Sequence, residues 1–441
     1  MNGIDPSLDG SPYQQYLYSY PHKTAYRQLR PRPLLADLWR PEPRGALFCY
    51  LHIPFCEMRC GFCNLFTRSG PPAEQVSDYL RQVRRQAEQV ADALGDDTGY
   101  ARAAFGGGTP TYLTAEELTE LFDIATGVMG VALPGVPLSV ETSPATATPD
   151  RLAVLAAHGT TRVSIGVQSF LDAEARAAGR PQRRAEVEAA LAAIRAAAIP
   201  NLNIDLIYGI DGQTAGSWQQ SLDAALAWRP EELFLYPLYV RPLTGLGRRA
   251  HSRADWDAQR LALYRQAVQV LDAAGYRQES MRQFSRADLP AQDAPDYRCQ
   301  ADGMVGLGCG ARSYTTALHY SFDYAVGVSS VRAVLEDYLA RSEQDFRYAE
   351  VGFALDRAER RRRWLLQSLL RAEGLDADAY RSVFGRAVAE DFPQLGTLVD
   401  RGWATAGGTR LTAAGMARSD AIGPWLISPQ VQAAMTDYQP R

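Results

Sequence analysis

The chain has 441 residues, 46% of them apolar, and its 46 basic and 50 acidic residues leave a net charge of -4. That length predicts one large domain plus one or two smaller ones, and so balanced a charge argues against nucleic acid or an anionic membrane surface as partner. A small substrate, neutral or locally recognised, fits better.

The opening "MNGIDPSLDG" has no basic-then-apolar signal pattern, and no apolar run reaches the roughly 18 residues of a membrane span, so a cytoplasmic location is expected. Lys23 is the only lysine; it stands in a polar arm expected to be mobile, which leaves Schiff-base and pyridoxal chemistry without a candidate. Residues 47–53, "LFCYLHI", read as a buried strand. Immediately after it, "YLHIPFCEMRCGFCNL" carries Cys56, Cys60 and Cys63 in a C-x3-C-x2-C pattern on a loop. Clustered cysteines in a long chain of this kind point to metal or redox chemistry rather than disulfides. Three thiolates leave one position of an iron–sulfur site open to a ligand; structural zinc would need a fourth protein ligand, for which Cys49 or His52 is badly directed.

Val76, Leu80, Val83, Ala87, Val90 and Leu94 recur at helical spacing. A strand beginning near residue 101 ends in "FGGGTP", whose glycines let backbone approach a ligand and whose Thr109 offers a hydroxyl; neither a Walker lysine nor a G-x-G-x-x-G fingerprint accompanies it. Thr114 and Glu117 occupy capping-box positions, and Thr148 followed by Pro149 starts another helix. Further strands are expected near 137, 161, 201, 232 and 276. Three of them end in isolated polar residues: Glu141 in "LSVETSP", Gln168 in "VSIGVQSF" and Asp205 in "NLNIDLIYG". Regular alternation of strand and helix implies parallel strands, either a doubly wound sheet or a complete or partial barrel, with chemistry beyond the carboxyl ends of the strands. The chain turns polar over 285–300, and from about 351 three helical patterns precede "ATAGGTRLT", expected as a hairpin with Gly407 and Gly408 at its turn. That tail reads as a small winged-helix-like unit. The run Arg360 to Arg363 is read as a solvated helix face rather than a DNA contact.

The C-x3-C-x2-C loop, "GGGTP", "GVQSF" and "DLIYG" together resemble the radical S-adenosylmethionine (SAM) superfamily. "YLHIPFC" and the later motifs resemble, within it, the family of oxygen-independent coproporphyrinogen III oxidase, which also holds haem chaperones and class C radical SAM methyltransferases. The resemblance implies an α/β fold, a partial (β/α)6 barrel with a small C-terminal winged-helix-like α+β domain. Its divisions are an N-terminal arm (1–46), the core with its 4Fe-4S site (47–285), a connecting and substrate-covering segment (286–350) and the C-terminal domain (351–441). It further implies that Cys56, Cys60 and Cys63 hold a 4Fe-4S cluster whose fourth iron binds SAM, which on reduction yields a 5'-deoxyadenosyl radical. Tyr50 would touch that SAM and Phe62 would pack by the cluster. Gly107, Gly108 and Thr109 would hold its methionine or a second SAM, and Glu141, Gln168, Arg180 and Asp205 would bind the cluster-bound SAM, with Asp205 on its ribose. Segment 303–321 would close over the second SAM and substrate, with Cys309 a small packing residue, and Tyr239 and Arg241 would face substrate. The decarboxylating oxidase has a cysteine two residues beyond the motif, where this chain has Leu65. That difference shifts the expectation to a class C enzyme using two SAM molecules to deliver methyl or methylene to an sp2 carbon of a small-molecule or peptide-derived substrate, as methylation or cyclopropanation. A flavodoxin or ferredoxin would supply the electron. Coproporphyrinogen-type decarboxylation and haem chaperoning, with His22 and His319 as the loose haem candidates, are the alternatives.

Overall fold

The computed structural model describes residues 6–248, 255–289 and 297–439. Six strands, β1 (Leu47–Ile53), β2 (Tyr100–Gly107), β3 (Leu138–Thr142), β4 (Arg162–Gln168), β5 (Asn201–Tyr208) and β6 (Glu232–Pro237), lie side by side in chain order. Every pairing among them is parallel. Between them run the helices α1 (Ala73–Leu94), α2 (Ala115–Asp123), α3 (Pro149–Ala157), α4 (Arg184–Ala196) and α5 (Ala215–Ala227). Because the order never reverses, right-handed crossovers put all these helices on one face of the sheet. The other face becomes an interior. This decides for the partial barrel over the doubly wound sheet, whose order must reverse at a switch point.

Alternation along β1 shows how the sequence creates both faces. Leu47, Cys49, Leu51 and Ile53 are fully buried. Phe48, Tyr50 and His52 line up on the opposite side, their rings 6.5 and 6.0 Å apart in succession. The helices start where local chemistry directs: the Thr114–Glu117 capping box forms, and Pro149 opens α3.

The sheet does not close. Met304–Leu307 adds a parallel strand beside β1, with Gly306 opposite Tyr50, and Gln283–Arg286 adds an antiparallel one beside β6. Segment 303–321 adds its strands to this sheet, with Cys309 fully buried. The N-terminal arm crosses the gap. Tyr13 packs on Tyr208 of β5 and Tyr16 on Tyr236 of β6, with ring centroids 6.1 and 6.4 Å apart, while the Tyr18 hydroxyl accepts a 2.7 Å bond from Arg312 on the far side.

The C-terminal helices, including Arg357–Leu369 and Ser419–Trp425, share this core, since one apolar cluster runs from Leu8 to Val431. Arg361 to Arg363 of the basic run bond Asp391, Leu426 and Cys299 within the fold. The hairpin expected at Gly407 and Gly408 is a single antiparallel bridge, Ala404 with Leu411, because the chain enters another helix at Ala413. The polar stretch 285–300 lies partly outside the described residues. No described helix is long and apolar enough to cross a membrane.

Asp420 clamps the pieces together: it pairs with Arg282 and accepts from Tyr239, and its carbonyl accepts from Gln15 of the arm at 3.1 Å. The two charged side chains are 4% and 2% exposed, so removing one charge strands the other. Asp420→Asn is expected to cost about 3–5 kcal/mol, read as a lower urea midpoint; an unchanged midpoint would show that the pair carries no such role.

Candidate functional site

The cysteine loop leaves β1 at the carboxyl end of the sheet, where barrel chemistry is placed. Phe55–Cys56 pairs with Arg68–Ser69, which closes the loop on itself. Its middle is held by backbone packing. The Gly61 amide donates to the Gly179 carbonyl at 3.0 Å, and a Cβ on Gly179 would stand 2.7 Å from the Gly61 Cα. Gly179 also has φ +69°, so a side chain there is strained twice. Arg180 comes next, and its Nη1 donates to Cys60 Sγ at 3.2 Å while Nε donates to Gln182. Thr109 Oγ1 donates to Cys56 Sγ at 3.5 Å.

All three thiols are free and half-buried. Burial pushes the Cys56 thiol up to about 12 against the opposing Thr109 bond, and pushes Cys60 up against the opposing Arg180 charge. No three described His, Cys, Asp or Glu groups approach closely enough to hold a single metal ion. A 4Fe-4S cluster makes a different demand, since each thiolate binds its own iron and the sulfurs stand apart. A loop of three free thiols with donors already aimed at two of the sulfurs fits that group. Phe62 is partly buried against Ala178, Ile207 and Leu246 beside the loop.

Each remaining strand end adds a wall. At β2, Gly107 (φ +117°) donates to Glu141 Oε2 at 3.0 Å, and a Cβ on Gly108 would meet Phe55 O at 2.5 Å and Cys56 Sγ at 2.9 Å. The glycines thus let β2 press against the cysteine loop. Burial raises the Glu141 carboxyl above its ordinary range, although its side chain keeps accessible surface; both hold only if it borders an internal space. Asp205 of β5 accepts from Asn203 Nδ2 at 2.7 Å, and burial raises its carboxyl to about 7. Gln168 sits at a break in the β4 register with φ +68°, its amide beside Gly166 and the Arg180 guanidinium nearby. Tyr50 bonds His52 Nδ1 at 3.3 Å. Below, Arg162 pairs with Glu232 at 2.8 Å and forms a charged floor.

Cys56, Cys60, Cys63, Thr109, Arg180, Gly107, Gly108, Glu141, Gln168, Asp205 and Tyr50 are thus brought to one end of the barrel. Tyr239 and Arg241 are otherwise engaged: Tyr239 bonds Asp420, and Arg241 donates to Gln14 O at 2.9 Å and lies over Tyr239. They hold the arm and tail in place of substrate. His52 is wedged beneath two glycines, since a Cβ on Gly107 or Gly310 would lie 2.5 or 2.6 Å from its ring; burial lowers it to about 4. His319 is 1% exposed and packs on Tyr314, which removes it as a haem candidate. Lys23 is not mobile: its Nζ stands 3.4 Å over the Tyr324 ring. Sequence reasoning passed over Tyr16, Tyr18, Tyr236, Arg312 and Tyr324, of which only the tyrosine repeat in "YQQYLYSYPHK" left a signal.

Residues 50–225 match the radical SAM superfamily. The heme chaperone HemW of Bacillus subtilis is 26% identical over 349 residues, covering 78% of this chain and 89% of that protein. The oxygen-independent coproporphyrinogen III oxidase of Salmonella typhimurium is 28% identical over 404 residues, covering 86% and 85%. Among solved structures, coproporphyrinogen III oxidase (HemN) from Escherichia coli superposes with a TM-score of 0.78 at 22% identity, covering 92% of this chain and 96% of that one, and so shares its fold. The chain therefore carries a radical SAM domain and is related over most of its length to the HemN and HemW proteins. The cofactors of that superfamily are a 4Fe-4S cluster and SAM.

Two outcomes are expected. Gly179→Ala should cost about 1–3 kcal/mol and lower the iron bound after reconstitution, measured against wild type; full loading would show that the glycine contact does not shape the loop. Burial places Asp205 at about 7 instead of 3.8. Between those values the folded chain keeps a proton that the unfolded chain has lost, so this group's contribution to stability falls as pH rises through the window. The stability of wild type relative to Asp205→Asn should accordingly fall between about pH 4 and 7, and a constant difference would contradict the burial of this carboxyl.

Proposed function

We propose that the protein is a radical SAM enzyme that removes a hydrogen atom from a substrate enclosed beneath the N-terminal arm, with an oxidative outcome of the kind performed by the coproporphyrinogen oxidases. The observation that carries this reading is the meeting of the three-cysteine loop with Glu141, Asp205, Gln168 and Tyr50 at one enclosed end of the barrel. When bound, the cluster and SAM supply a 5'-deoxyadenosyl radical. Everything else falls to the chain. Cys56, Cys60 and Cys63 would hold the cluster, with Arg180 and Thr109 donating toward its sulfurs. Asp205, oriented by Asn203, suits paired hydroxyls such as those of a ribose, and Glu141, fixed by the Gly107 amide, suits an amine. Tyr16, Tyr18 and Tyr236 exclude water above the site.

The relatives named as oxidases and haem chaperones favour this reading over methyl transfer. The residue that raised doubt, Leu65, is 47% exposed and so stands apart from the enclosed space. Haem handling is disfavoured by the histidines: His22 Nδ1 is engaged by Thr24 at 2.8 Å, and His52 and His319 are buried. An electron donor of the flavodoxin or ferredoxin kind belongs to the proposal.

The test is anaerobic incubation of reconstituted protein with dithionite and methyl-deuterated SAM. The expected products are 5'-deoxyadenosine free of deuterium and no S-adenosylhomocysteine, with cleavage lost in Cys56→Ala, Cys60→Ala and Cys63→Ala. Deuterium in 5'-deoxyadenosine together with S-adenosylhomocysteine would replace this reading with methyl transfer, and absence of cleavage would replace it with haem handling.

A further inference from the structure

Five large apolar side chains stand exposed among the described residues, and three of them, Leu65, Leu243 and Val328, belong to segments that meet at the cysteine loop. Leu65 lies two positions after Cys63, and the carbonyl of its neighbour Asn64 accepts from the Tyr324 hydroxyl at 2.5 Å. Arg59, between Cys56 and Cys60, ties the other two segments to the loop. Its Nη2 donates to the carbonyl of Val326 at 2.6 Å and to that of Leu243 at 3.3 Å. The Leu246 amide completes the join by donating to the Gly61 carbonyl at 2.8 Å.

The patch is held outward by the fold. Leu243 has φ +66°, a strained region for a residue with a Cβ, yet its side chain is 40% exposed, so no burial offsets the strain. Val328 opens the helix Val328–Ala340, which turns Val331, Leu335 and Tyr338 to the core and leaves Val328 and Arg332, one turn apart, in solvent. This helix lies against Arg68–Ser69, the strand that closes the cysteine loop. The charges on these segments are basic and unpaired: Arg59 and Arg68 donate to carbonyls, and among the described residues neither they nor Arg332 form an ion pair. The one carboxylate within the loop, Glu57, has its Oε2 buried.

We propose that Leu65, Leu243 and Val328, edged by Arg59, Arg68 and Arg332, form the docking surface for a small acidic flavoprotein that presents the apolar dimethylbenzene edge of its flavin. An apolar centre with a basic rim suits the brief, small-area encounters of electron carriers, in which opposite charge sets the encounter rate. Reductive cleavage of SAM consumes one electron, and a donor passes it on only from close range. The anionic flavin hydroquinone loses that electron to become the neutral semiquinone, the oxidised cluster gains it, and no proton moves. This rests on the reading of the three cysteines as the cluster site.

The test uses the full reconstituted chain with two readouts: calorimetric binding of oxidised flavodoxin, and bleaching of the cluster on mixing with flavodoxin hydroquinone. Leu65→Asp combined with Val328→Asp is expected to weaken binding about tenfold or more and to slow bleaching to match. Arg332→Glu should slow bleaching at low salt and flatten its salt dependence. Val383→Asp, at an exposed position of the C-terminal helix Ala377–Phe384, should change neither. Dithionite needs no docking and should bleach all four proteins alike, which checks that the variants fold and load. No binding by wild type, binding only to a ferredoxin, or unchanged binding in the double variant would overturn the surface. So would a wild-type dimer that the double variant turns into a monomer, since the patch would then belong to a second copy of the chain. SAM cleavage by dithionite is scored separately: flavodoxin bleaching without any cleavage would sink the proposed function and leave the surface standing, and the reverse pattern would do the opposite.

Discussion

Two glycine backbones in contact, Gly61 and Gly179, are the constraint on which the site depends. One belongs to the cysteine loop after β1 and the other to the turn before Arg180, and their hydrogen bond of 3.0 Å leaves no room for a Cβ on the Gly179 side. The contact sets where Cys60 lies, and Arg180, the next residue, then reaches its sulfur. Gly108 repeats the device from the other flank, where β2 meets Cys56 without a side chain between them. The loop is thus held by backbone on two sides, and two of its sulfurs accept bonds from Arg180 and Thr109.

The interior is divided by charge. Glu141 and Asp205 stand on β3 and β5 with Arg162 of β4 below them. His22 and Lys23 come instead from the arm and Arg312 from the strand Arg312–Tyr314, beside Tyr18 and Tyr324. Sequestering these groups requires the arm, which spans an open sheet that its own strands do not close. Because Asp420 and Glu359 of the C-terminal helices bind Arg282, Tyr239 and Tyr20, the tail fixes the arm and the arm encloses the chamber. Such coupling explains why one apolar core joins segments that read as separate units.

The cysteine loop and the six strands were legible because both are local patterns: a spacing of thiols, and apolar runs bounded by turn residues. Glu141, Gln168 and Asp205 stood out because a polar residue at the end of an apolar strand is conspicuous. The choice between barrel and doubly wound sheet was not legible, since strand order is a long-range property. Lys23 was misjudged for a related reason. Its neighbours "YSYPHKTAY" look like a solvated arm, and its burial follows from its seat over Tyr324, some 300 residues away. Local turn chemistry misled at Gly407 and Gly408, where Gly408 takes its φ of +70° against Leu395 and only one bridge forms.

In the proposed function Cys56, Cys60 and Cys63 would hold the cluster and Glu141 would contribute to binding SAM beside it. Electron paramagnetic resonance of the reduced, reconstituted protein, recorded with and without SAM, tests this most directly. The account predicts about four irons per chain and a cluster signal whose g-values shift when SAM is added, with the shift weakened in Glu141→Gln. A signal indifferent to SAM, or a protein that retains its cluster when Cys60 is replaced by alanine, would contradict it.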